Sequence, residues 1–120
     1  MSDMWQNIQA LRVAPSWLIE YNVFFDYEPI SENMEWFYAS CLLSASSQRD
    51  KKCFELVYEP EGDPDGQFVI YFFSFDGKNY ANTTLLDIKK TKSKKKVTTL
   101  IEEFMWGTKK LNTTNNAYFK

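Results

Sequence analysis

The chain has 120 residues, 44% apolar and 18% aromatic, with a formal net charge of −2, two cysteines and no histidine. That length and apolar content suit one domain with a real core. The lack of histidine removes Ser-His-Asp and Cys-His catalysis, histidine ligation of zinc and the usual neutral-pH general base.

No window approaches the roughly 18 to 20 continuous apolar residues of a membrane span. The start, Met-Ser-Asp-Met-Trp5, lacks the basic and apolar regions of a signal peptide, so a cytoplasmic location without membrane contact is expected. In that compartment Cys41 and Cys53 are expected as reduced thiols. Net charge conceals an asymmetry. Through Asp65 twelve acids face four basic residues, a balance of −8; from Gly66 onward ten lysines face four acids, a balance of +6. Such a split marks either two surfaces with different tasks or merely local solvation.

Ser2 or Asp3 can cap a short helix through about Leu11, which Ala14-Pro15-Ser16 breaks. From Trp17 to Tyr27 the residues alternate, with Trp17, Ile19, Tyr21, Val23, Phe25 and Tyr27 on one side, the pattern of a half-buried strand; a helix beginning at Trp17 competes for the first few positions. Ser31 is placed to cap a helix over about Glu32 to Ala45, whose inward stripe is Met34, Phe37, Tyr38, Cys41, Leu42 and Ala45. A strand follows over Cys53 to Tyr58, then the acidic turn Glu59-Pro-Glu-Gly-Asp-Pro-Asp-Gly66, then the aromatic strand Gln67 to Phe75, which reads as covered on both faces.

Asp76-Gly77 signals a hairpin into a strand over Lys78 to Ile88. Val97, Leu100, Ile101, Phe104 and Met105 then recur at helical spacing, giving a last helix over about Ser93 to Trp106 stopped by Gly107, on the same sheet face as the middle helix. The reading is an α+β fold in a single domain, 1–107, with a frayed tail, 108–120. It has an antiparallel sheet of about four strands with helices packed on it, in the order α-β-α-β-β-β-α.

Four glycines and two cysteines leave no glycine-rich phosphate cradle and no four-cysteine metal site, and no cofactor is indicated. Glu59, Glu61, Asp63 and Asp65 alternate in the acidic turn. They read as a solvated turn, as an acidic patch for a protein partner, or as oxygen ligands for calcium, although the twelve-residue loop and its closing glutamate are missing. Proton transfer by such a pair of acids is the one enzymatic route left open. Lys89, Lys90, Lys92, Lys94, Lys95 and Lys96 form the opposite pole. They read as a solvated segment or as contacts to nucleic acid, the latter opposed by the near absence of arginine and of interleaved aromatics. Of the aromatics Trp36, Tyr38, Tyr58 and Tyr71, some are expected to stay exposed beside acid, a composition typical of protein interfaces.

Trp17-Leu-Ile-Glu-Tyr-Asn-Val-Phe-Phe-Asp26, followed by Asn33-Met-Glu-Trp-Phe37 and Asp63-Pro-Asp-Gly-Gln-Phe-Val-Ile70, resembles the small immunity proteins encoded beside bacterial polymorphic toxins, including those of contact-dependent growth inhibition. The likeness is one of layout over about Trp17 to Trp106, and transfers no role to any single position. It implies a non-enzymatic protein that binds and neutralises one cognate toxin domain, frequently a nuclease. The partner surface expected on charge grounds is Glu59, Glu61, Asp63 and Asp65, with Tyr58, Asp26 and Glu28 as neighbours, since a basic nuclease site would meet them. A small nucleic-acid-binding accessory protein using Lys89 to Lys96 is the alternative, and the oligomeric state stays open.

Overall fold

The computed structural model describes residues 8–77 and 82–107. Five strands, β1 (Leu18–Asn22), β2 (Leu43–Ser47), β3 (Lys52–Glu59), β4 (Gln67–Ser74) and β5 (Thr84–Thr91), form one sheet. Its spatial order follows the chain, β1-β2-β3-β4-β5, and every neighbouring pair is antiparallel. A 3₁₀ helix (Ser31–Phe37) joins β1 to β2, and one α-helix, α1 (Lys94–Trp106), ends the described chain. The α+β class and the antiparallel sheet agree with the sequence reading; the strand count and the element order do not.

The main correction is the helix expected over Glu32 to Ala45. Only Ser31–Phe37 is helical, and Leu43–Ser47 is a strand between β1 and β3. Met34, Phe37, Leu42 and Ala45 are buried as the helical stripe required, but Tyr38 points out, 62% exposed. The segment Leu43-Ser-Ala-Ser-Ser47 satisfies a period of two as well as one of 3.6, and serine is a weak helix former. Pairing on both edges then decides, because a strand there completes two hydrogen-bond ladders at once.

The expected N-terminal helix falls largely on residues 1–7, outside the described residues. Ile8 to Leu11 are not helical, and Ile8 instead bridges Phe25 while the Gln9 amide donates to the Phe24 carbonyl at 2.9 Å. In the first strand a bulge between Ile19 and Tyr21 breaks the expected alternation. Ile19 packs on the core whereas Tyr21 is exposed. β3 and β4 lie where the sequence placed them. β5 begins later than expected and runs into the lysines, so Lys89 and Lys90 are strand residues. β4 and β5 do pair antiparallel, but the pairing begins only at Ser74 and Thr84, and the turn expected at Asp76-Gly77 runs into 78–81, which lie outside the described residues, as does the tail, 108–120.

The core lies on one face of the sheet. Phe54, Leu56 and Tyr58 of β3 and Phe68, Ile70 and Phe72 of β4 point there, all at or below 5% exposure. Val97, Ile101 and Met105 of α1 cover them, as do Met34 and Phe37 of the 3₁₀ helix, so both helical elements share that face as expected. Aromatic rings knit the layers, with Phe72 and Phe104 centroids 4.5 Å apart and Phe37 and Tyr58 5.0 Å apart. Helix α1 has defined ends. The Ser93 hydroxyl accepts from the Lys96 amide at 3.1 Å, and Gly107, at φ +68°, supplies the left-handed residue that lets its own amide bond the Glu103 carbonyl.

Candidate functional site: an acidic loop pinned to the end of the sheet

The acidic turn between β3 and β4 is a built structure. Its base is the register pair Glu59 and Gln67. Within it the Asp63 amide donates to the Pro60 carbonyl at 3.2 Å, and the Gly66 amide to the Asp63 carbonyl at 2.8 Å. The Asp65 amide donates to Asp63 Oδ1 at 2.8 Å, so one of the four carboxylates shapes the turn. From below, the Tyr58 hydroxyl donates to the Asp63 carbonyl at 2.9 Å. From one side the Gly62 amide donates to the Phe37 carbonyl at 2.8 Å, and from another the Lys92 ammonium donates to the Pro64 carbonyl. Gly62 has φ +68° and the Tyr38 ring lies so close that a Cβ would fall 2.3 Å from its edge. The positive φ favours glycine, and any Cβ there would push the exposed Tyr38 ring aside.

This arrangement sorts the residues expected at the partner surface. Glu59, Glu61 and Asp65 are exposed, and Asp63 is half-buried. Tyr58 is fully buried between Phe37 and Phe68, so it supports the loop from the core and offers no surface. The exposed ring beside the acids is Tyr38, which the helical stripe had turned inward. Nothing in the sequence distinguishes the two tyrosines until the segment before β2 is known to leave its helix after Phe37.

Asp26 and Glu28 are exposed but tied to α1. Lys94 Nζ donates to Asp26 Oδ1 at 2.7 Å and to Gln9 Oε1 at 2.8 Å, and lies 3.8 Å from Glu28 Oε2. The lysine run is correspondingly divided. Lys94 is the clamp just described, Lys92 ties down the acidic loop, and Lys89 pairs with Asp87 at 3.4 Å. Lys90, Lys95 and Lys96 are exposed. The acidic and basic halves of the sequence therefore meet at one end of the sheet. Phe68, just after the acidic loop, is the register partner of Thr91, just before Lys92.

On the face away from the core, Tyr71 of β4 donates to Glu59 Oε2 at 3.4 Å. Its phenol titrates above the ordinary range, first through desolvation and then through Glu59 and Glu55. Cys53 lies nearby as a free thiol pushed up to about 11, by burial first and then by Glu20 and Glu55. Cys41, also free, is raised by burial and by Glu55. Both thiols are poor nucleophiles at neutral pH. Among the described residues no three acid or thiol side chains converge as a metal site requires, and no helix is long and apolar enough to cross a membrane. No protein-family model, no curated protein and no solved structure matches the chain.

Proposed function

We propose that the chain is a non-enzymatic immunity protein that binds and neutralises a bacterial toxin domain carrying a basic active site, such as a nuclease. The observation that carries this reading is the pinned loop. Six hydrogen bonds hold a turn that projects Glu59, Glu61 and Asp65 into solvent beside the exposed Tyr38 ring. Fixing the backbone that carries those carboxylates reduces the ordering cost of association, and their shared sign speeds encounter with a cationic site. An aromatic ring at the edge of the acids supplies the apolar anchor that charge alone lacks.

The alternative, nucleic-acid contact through Lys89 to Lys96, has less support, because Lys89, Lys92 and Lys94 are already engaged and the acidic loop stands beside them. The test is co-expression with the toxin domain encoded by an adjacent open reading frame, followed by co-purification and association kinetics. Charge reversal of Glu59, Glu61 and Asp65 is expected to slow association at least tenfold at low salt while leaving the thermal midpoint within a degree or so. Asp63 is left intact because its carboxylate holds the turn. Equal association by the reversed protein overturns the assignment of this surface.

A further inference from the structure

The sheet has a second face, opposite the core. Register fixes what lies on it: Leu18, Phe73 and Leu85 share one cross-strand row, and Tyr21, Glu55, Tyr71 and Ile88 the next. In both rows β2 contributes a serine, Ser46 and then Ser44, so a low floor runs between the side chains of β1 and those of β3 and β4. Glu20, Ser44, Cys53, Glu55 and Phe73 line a hollow there of about 240 Å³. Helix α1 and the 3₁₀ helix both pack on the opposite face. Four large apolar side chains consequently stay open, Leu18 at 65%, Tyr21 at 49%, Leu85 at 48% and Ile88 at 40%. In the next row Val57 and Val69 are buried, so the open part is at the end of the sheet away from the acidic loop.

We infer that this face docks a protein segment that places an arginine or lysine into the hollow between flanking apolar side chains. Charge complementarity selects that occupant. Glu55 stands in the middle of the Tyr21 to Ile88 row, exposed, and accepts no hydrogen bond or ion pair among the described residues. Glu20 of β1, already accepting from the Ser46 hydroxyl at 2.9 Å, lines the same hollow, and burial together with these two carboxylates opposes ionisation of Cys53. A cation seated there gains the Glu55 charge, and a guanidinium can also stack on the Phe73 ring. An acidic or neutral segment would bury Glu55 unpaired. The inference rests on the reading that the partner is basic, but it places a contact at the other end of the sheet from the loop.

The test is a titration of the full-length, ¹⁵N-labelled chain with the peptide acetyl-Arg-Leu-Arg-Leu-Arg-amide and with its glutamate counterpart. The arginine peptide is expected to shift the amides of Ser44, Glu55, Phe73 and Ile88, and Glu55→Gln to weaken binding at least fivefold, whereas Glu61→Lys leaves those four shifts in place. Shifts confined to 59–66 would overturn this face while favouring the loop. Equal shifts from the two peptides, undiminished binding by Glu55→Gln, or concentration-dependent shifts in the same amides without peptide, which would mark contact between copies of the chain, would each overturn it as well. Failure of the toxin to bind, with the peptide still seated on Glu55, would refute the proposed function and leave this surface standing.

Discussion

Replacing Lys94 by methionine separates a lysine that clamps α1 to distant segments from the exposed lysines that follow it. Methionine keeps the unbranched stem and removes the ammonium. The Lys94 side chain is 13% exposed, and its ammonium bonds Asp26 and Gln9 at 2.7 and 2.8 Å, fastening the segment after β1 and the segment before it to the first turn of α1. A hydrogen bond to a charged partner is worth about 1.5 to 3 kcal/mol. Asp26 and Glu28 are about 60% exposed and rehydrate once the cation is gone, so the upper part of that range is lost. The expected cost is about 1 to 2 kcal/mol, which for a chain of this size lowers Tm by roughly 3 to 8 °C. Lys95→Met and Lys96→Met, at exposed positions near the positive end of the helix dipole, should change stability by less than about 0.5 kcal/mol. Thermal unfolding at low and high ionic strength reads all three, and the Lys94→Met difference should shrink with salt. Indistinguishable midpoints for the three variants would refute the division of the lysine run.

Gly66→Ala should destabilise by about 2 kcal/mol, read as a lower urea midpoint, because the new Cβ would fall 2.7 Å from the Glu59 carbonyl oxygen and 3.0 Å from Pro60 N, backbone atoms that cannot swing aside. An unchanged midpoint would mean that the loop base is looser than this geometry. Cys53 should alkylate about tenfold more slowly at pH 8 than a thiol at the ordinary value of 9.0, since its pKa of about 11 leaves about a hundredfold less thiolate, partly offset by the greater nucleophilicity of that thiolate. Glu55→Gln should speed that labelling by lowering the pKa. The same shift has a stability consequence. The unfolded thiol ionises from about pH 9 while the folded one holds its proton to about 11, so stability contributed by the protonated thiol is present below pH 9 and is lost as pH rises through that window. A Cys53→Ser variant that loses stability just as steeply over that window would show that another group is responsible.

How much was legible in the sequence depended on whether local pattern and tertiary pairing asked for the same thing. β3, β4 and α1 could be read from the residues because alternation, an aromatic run, a helical stripe and a left-handed glycine each had one interpretation. The acidic loop was legible as a charge pattern for the same reason. Its attachment to the rest of the fold was not, since two of the six bonds that hold it reach Phe37 and Lys92, far away in the chain.

The sequence by itself determined the α+β class, the lack of histidine chemistry and the segregation of charge, because composition and short-range periodicity carry those directly. Tertiary structure alone decided that Leu43–Ser47 is a strand, since only pairing with both β1 and β3 overrides a segment whose two periodicities are equally satisfied. It also decided which of six neighbouring lysines is a clamp, which tyrosine is buried beneath the acids and which is exposed beside them, and that Leu18, Tyr21, Leu85 and Ile88 stay exposed on the face opposite the core. Each of these depends on what a side chain meets across the fold, and neighbours in sequence do not encode that distance.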